Sequence, residues 1–291
     1  HQHIEINYAY QKNVSYSQFS MFRTCPKRWS LQYKDGFKMF TSSIHTVFGT
    51  ALHEVLQYYL DVMYEESAAE ADRKNLVEMF ENALRDEYKV QYKKNNNQHF
   101  STSTELREFF EDGKEILSFI KKKRNLYFSK KGWYLVGCEI PIVIAPNMRI
   151  NRVKYMGYLD IVMYHEPTNT FKIIDIKTST KGWNKYTKKD ESKQFQLILY
   201  KYFFSKQYNI PIENIEIEFF IVRRNLFLSS PSISNCFKKF LIFTLLNLSS
   251  LNLPPNSEVT VLLSISLIPL ELTHKCLASI TQATSCVFKT S

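Results

Sequence analysis

Residues 157–164 read GYLDIVMY and residues 170–179 read TFKIIDIKTS, with HEPTN between them. Both flanking runs are rich in β-branched and aromatic residues, and the intervening His165, Glu166, Pro167, Thr168 and Asn169 form a turn cluster. The expected structure is a β-hairpin, residues 153–164 paired with 170–177, that sets Asp160 and Asp175 on neighbouring strands. Alternation along the second strand sends Asp175 and Lys177 to one face and Ile174 and Ile176 to the other. A carboxylate and an ammonium then share one surface with a second carboxylate alongside.

Two carboxylates with open coordination positions suit a hard divalent ion such as Mg²⁺, which keeps several waters. Such an ion lowers the pKa of a bound water and neutralises charge developing at phosphorus, as phosphodiester hydrolysis requires. Lys177 then orients the attacking water or stabilises the transition state. Taken alone, D-x-K also describes the solvated face of a strand with a surface ion pair, so the wider constellation has to decide.

That constellation resembles a known family. Gly157-Tyr-Leu-Asp160, Asp175-Ile-Lys177, Gln196-Leu-Ile-Leu-Tyr200 and the earlier Gly49-Thr-Ala-Leu-His53 stand in the order and spacing of the RecB-like branch of the PD-(D/E)XK nucleases. Ser15-Tyr-Ser17 and Cys25-Pro26-Lys-Arg-Trp29 resemble the opening of these domains. The likeness spans about residues 16–224. It implies a restriction-endonuclease-like α/β fold with an αβββαβ core, a mixed sheet flanked by helices and a helical insertion. It further implies that His53, Asp160 and Asp175 bind Mg²⁺ or Mn²⁺, that Lys177 is catalytic, and that Gln196 and Tyr200 complete the site. Glu139, just ahead of the Gly157 strand, is expected to support the site from behind. The implied activity is that of an exonuclease in DNA-end processing, recombination or repair, acting on single strands or duplex ends, with a helicase or recombination protein as partner. Phage or virus-encoded enzymes and CRISPR-adaptation exonucleases are among the similar proteins. A non-catalytic clamp with the same fold is the alternative.

Other features bound this reading. The chain has 291 residues and a formal net charge of +10, which favours a polyanionic partner without choosing between nucleic acid and an anionic membrane. No apolar run reaches the ~20 residues a spanning helix needs, and the first ten residues lack a signal pattern, so a soluble, intracellular protein is expected. The five cysteines, at positions 25, 138, 236, 276 and 286, are odd in number and irregular, which argues against a disulfide framework. Some RecB-like nucleases hold a 4Fe-4S cluster with one early and three late cysteines, but Cys276 and Cys286 are separated by nine residues and have no close partner. A cluster is not expected, and Cys25 reads as a small buried hydrophobe.

Residues 15–29 and 46–64 carry helical apolar spacing, the second with Leu52, Val55, Leu56, Tyr59 and Leu60 on a buried stripe and His53 at its border. Residues 65–131 are charged and helical in rhythm, and read as an insertion shaping a substrate channel. There Lys121, Lys122, Lys123 and Arg124, followed by Tyr127 and Phe128, interleave cations and rings as single-stranded nucleic acid requires, though a solvated helix end has the same look. Thr178 and Lys181 follow the D-x-K strand as further phosphate contacts. Residues 133–145 read as the first sheet strand, at an edge because of Pro141; residues 190–207 read as a helix and 215–223 as a last strand. The nuclease domain is thus expected over residues 15–224. From residue 225 onward there is no Asp, Gly, Tyr or Trp, and Ser and Leu dominate. That shift marks a separate module, a tail or a slip of reading frame, and no catalytic residue is expected in it.

Overall fold

The computed structural model describes residues 12–37, 40, 42–144, 153–180, 183, 187 and 190–224. Lys181, the Ser/Leu-rich segment 225–291 and its three cysteines lie outside them. A short strand β1 (Lys12–Val14) precedes α1 (Tyr16–Thr24) and α2 (Pro26–Trp29). Then come α3 (Ile44–Glu65), α4 (Ala68–Arg73), α5 (Leu76–Lys94), α6 (Ser103–Tyr127), β2 (Trp133–Ile144), β3 (Val153–His165), β4 (Thr170–Ser179), α7 (Glu191–Tyr208) and β5 (Ile215–Arg223). The sequence α3, β2, β3, β4, α7, β5 is the expected αβββαβ order, and the five strands form one mixed sheet. β1 is the addition. Among the described residues no helix is long and apolar enough to cross a membrane.

Each face of the sheet is covered by a helix buried on more than one side. In α3, 12 of 22 residues are buried, too many for a one-sided helix. One flank lies on Ile161, Ile174 and Ile176 of the sheet, the other under α5 and α6. The α5 and α6 helices meet α3 through Phe80, which stands edge-on to Phe48 at 5.8 Å and stacks on Phe110 at 6.2 Å. Gly113 of α6 has no side chain because Phe80 occupies the space: a Cβ there would fall within the van der Waals envelope of its ring. Gly113→Ala therefore should not give the usual helix gain of about 1 kcal/mol but a loss of about 1–3 kcal/mol. Urea unfolding of the two proteins measures this difference directly. On the opposite face α7 packs Phe195, Leu199, Phe203 and Phe204 against Ile173, Ile217 and Phe219.

Capping fixes where the helices start. Thr102 Oγ1 accepts the Glu105 N–H at 3.1 Å while the Glu105 carboxylate accepts the Thr102 N–H at 2.8 Å, a reciprocal box that opens α6. The β3–β4 turn closes as expected, with Asn169 at φ 49° supplying the left-handed residue. The expected helix over residues 15–29 is broken at Cys25, which is extended (φ −157°), ahead of Pro26. Cys25 is half-buried rather than buried, and its Sγ accepts the Arg28 N–H at 3.4 Å to cap α2.

The sheet is split along one edge of β3, and this positions everything that follows. β2 covers one edge of β3 from Tyr155 to His165. On the other edge β1 pairs only as far as Tyr155, and β4 joins only from Ile161. Residues 156–160 of β3 consequently face a gap between two strands.

Candidate active site

Asp160 and Asp175 stand where the β3–β4 ladder ends. Ile161 pairs with Ile174, so the next step of the register sets the two aspartates opposite each other as the strands part. Past this point β4 continues alone with β5, Asp175 lying beside Phe219. The Ile176 N–H, released from the ladder, donates to Asp160 Oδ2 at 2.7 Å, so the carboxylate is held in place by the backbone of the neighbouring strand.

A change of face at the same level turns Asp160 toward both sides of the sheet. In β2, Leu135 and Cys138 pack on the α3 side and Ile140, Ile142 and Ile144 on the α7 side. In β3 the change falls between Ile161 and Leu159, both fully buried but on opposite faces. The turning residues are Glu139 and Asp160, which the register places across from each other. Glu139 takes φ 51° inside a strand, a left-handed conformation that costs of order 1 kcal/mol without glycine. Gln57, one turn after His53 on α3, secures it: its Nε2 donates to Glu139 Oε1 at 2.8 Å and to the Asp160 carbonyl at 2.9 Å.

The face change explains how His53, on α3, and Lys177, on the α7 side of β4, approach from opposite faces of the sheet. His53 comes from α3, its Nδ1 3.7 Å from Asp160 Oδ2. Burial, and then the Lys177 charge, push the His53 pKa below its ordinary value, so the imidazole is neutral at pH 7. Asp175 and Lys177 share the α7 side as alternation required, Nζ lying 2.6 Å from Oδ2. This is a contact between charges rather than a well-angled hydrogen bond, for Asp175 Oδ2 is buried without a hydrogen-bond partner. The Asp175 side chain is 2% exposed, and burial raises its pKa despite Lys177. Asp160 is raised for the same first reason, burial, again against Lys177.

A desolvated carboxylate beside a second carboxylate, the pair countered by a single ammonium, has the character of a cation site. Among the described residues no three His, Cys, Asp or Glu side chains close into a ready-made ligand cluster. The fit is to an ion held by one or two carboxylates and otherwise by water, as Mg²⁺ prefers, with a neutral imidazole at the margin.

Gln196 and Tyr200 are brought beside this pair but hold one another: Gln196 Nε2 donates to Tyr200 Oη at 3.0 Å. Gly157 makes room for the ring, since a Cβ there would stand 3.0 Å from Tyr200 Cε1. Burial raises the Tyr200 pKa, with Asp175 and Asp160 adding to it, so the hydroxyl keeps its proton. Thr178 lies against Gly49 of α3. The cationic run on α6 is only partly as read. Lys121 Nζ donates to the Asp72 carbonyl at 2.6 Å and Arg124 pairs with the Asp72 carboxylate at 2.9 Å, which ties α6 to α4. Lys122 and Lys123 are exposed, whereas Phe128 is buried against Phe220 and Tyr127 meets the same ring edge-on. Neither ring is free to stack on a base. Gln57 was not singled out in the sequence, and Gly157 only as part of the Gly157-Tyr-Leu-Asp160 motif, without its role beside Tyr200. The one available signal for Gln57 was its i+4 spacing from His53.

No curated protein matches the chain. A family model described as the PD-(D/E)XK nuclease superfamily matches residues 13–235, which include each element that builds the paired-carboxylate site. The chain belongs to the PD-(D/E)XK nuclease superfamily.

Proposed function

We propose that this protein is a metal-dependent deoxyribonuclease of the RecB-like branch, an exonuclease that trims DNA ends in recombination or repair alongside a helicase or recombination protein. The observation that carries the reading is the buried Asp175 carboxylate converging with Asp160 at the parting of β3 and β4, with Lys177 Nζ 2.6 Å from its Oδ2. Asp160 and Asp175 hold Mg²⁺ or Mn²⁺, with His53 as a third ligand. The bound ion supplies a water of lowered pKa and neutralises charge at phosphorus. Lys177 orients the attacking water and stabilises negative charge on the phosphoryl oxygens. Tyr200, protonated and paired with Gln196, has a hydroxyl to offer the substrate backbone. Lys122 and Lys123 remain available for phosphates; Lys121 and Arg124 serve the fold first. The nuclease unit comprises residues 15–224, with 65–131 as its helical insertion. A cleavage assay in Mg²⁺ and Mn²⁺, run beside fluorescence anisotropy with the same DNA, tests the function. Metal-dependent shortening supports it; binding without cleavage under both ions would establish the clamp instead.

His53 provides a separate check on the metal shell. Its lowered pKa leaves the imidazole neutral, and so able to ligate, down to pH below about 6.5, and affinity should fall only as pH drops further. His53→Ala should raise the half-saturating metal concentration about tenfold and erase most of the advantage of Mn²⁺, which accepts nitrogen better than Mg²⁺ does. Activity is titrated with each ion and normalised to folded protein by circular dichroism. Unchanged half-saturation for both ions would remove His53 from the shell.

A further inference from the structure

A cleft of about 740 Å³ opens at the gap in the sheet. Its floor is residues 156–158 of β3, the stretch that neither β1 nor β4 covers, and Gln196 and Tyr200 line it as well. The other wall comes from the first two helices, presenting the side chains of Ser17, Ser20, Thr24 and Arg28. No acidic residue is among those lining it. Within the described residues Arg28 has no acidic partner. Gly157, three residues before Asp160 on β3, and Tyr200 beside it mark the carboxylate end of the cleft.

This composition selects a class of ligand. Hydroxyls, exposed strand edge and one unpaired guanidinium, without a carboxylate, suit the sugar–phosphate backbone of a polyanion. The rings of Tyr16 and Tyr158, both in the lining and Tyr158 49% exposed, offer surfaces against which bases rest. The volume is that of a small-molecule pocket, which admits a strand end and not a double helix.

We propose that the cleft between α1–α2 and the uncovered edge of β3 takes the single-stranded end of a nucleic acid, with Ser17, Ser20 and Arg28 on its backbone, and delivers it past Tyr200 to the two aspartates. The delivery step rests on the nuclease reading above; the binding step does not. The cleft thus sets strandedness, and a blunt duplex has to fray before it is gripped.

Binding of a fluorescent single-stranded oligonucleotide and of a blunt duplex of the same sequence is measured by anisotropy with Ca²⁺ in place of Mg²⁺, using the full chain. The wild type should bind the single strand at least tenfold more tightly. Ser17→Glu with Ser20→Glu puts two negative charges in the cleft at helical positions that tolerate glutamate, and should weaken single-strand binding at least tenfold. Arg85→Glu on α5, an equal charge change away from the cleft, should not. Circular dichroism confirms the fold of each variant. Undiminished single-strand affinity in the folded double variant, or tighter binding of the blunt duplex by the wild type, would overturn the proposal. Parallel Mg²⁺ and Mn²⁺ cleavage assays separate the two readings. Cleft-dependent binding without wild-type cleavage leaves this site standing and removes the nuclease, whereas cleavage by a double variant with full affinity does the reverse.

Discussion

Replacing Asp175 with asparagine is expected to lower metal-dependent cleavage by about 10³-fold or more and at the same time raise the melting temperature of the metal-free protein by a few degrees. The loss follows from removing one of two anionic ligands, and with it several kcal/mol of transition-state stabilisation. The gain follows from burial. Asp175 is 2% exposed and only partly compensated by the Lys177 ammonium, 2.6 Å from its Oδ2, so its charge is a cost to the folded state that asparagine does not impose. The sign can be worked out from its pKa, raised to about 6. A carboxylate with a raised folded pKa costs stability increasingly as pH climbs from its unfolded value of about 3.9, and the cost is complete above the folded value. The variant's advantage should therefore be full at pH 7.5 and shrink toward pH 4. Adding Mg²⁺ should stabilise the wild type and not the variant. Thermal melts with EDTA and with Mg²⁺ at two pH values, beside a cleavage assay, measure all of this. An Asp175→Asn protein that is destabilised at pH 7.5 without metal would mean that the Lys177 pair outweighs burial.

Lys177→Met should lower kcat by about 10²–10³-fold, the range found when one preorganised donor to a transition state is lost. Lys177 is 34% exposed on its side chain, so methionine keeps the packing of the stem and removes the charge without leaving a cavity. Half-saturation by metal should not rise, because the ammonium contends with any cation for Asp175 Oδ2. That split between kcat and metal affinity distinguishes the lysine from the two aspartates. Activity that returns at high metal concentration would instead assign Lys177 to the metal site as an organiser of Asp175.

The sheet and the D-x-K pair were legible because alternation is a local code: Ile174, Asp175, Ile176 and Lys177 state their own faces. The helices α3 and α7 were legible from apolar spacing. The face change at Glu139 and Asp160 was not, since it depends on a left-handed glutamate that no turn residue announces and on Gln57, 82 positions before Glu139, to hold it. Likewise the cations of α6 read as a surface patch because Asp72, the partner of Arg124, lies 52 residues earlier in the chain. Cys25 looked like a core residue; its sulfur instead caps a four-residue helix and borders the cleft, a consequence of Pro26 breaking the helix there. β1 is three residues long, too short for any pattern, yet it and the parting of β4 from β3 after Ile174 are what leave residues 156–160 uncovered.

The most direct test of the central claim is a time course of an end-labelled single-stranded DNA with purified wild-type and Asp160→Ala proteins, in Mg²⁺, Mn²⁺ and EDTA. Hydrolysis at this carboxylate pair predicts progressive shortening by the wild type with either ion, none in EDTA, and none by the variant. DNA left intact by the wild type under both ions, or shortened by Asp160→Ala at the wild-type rate, would contradict it.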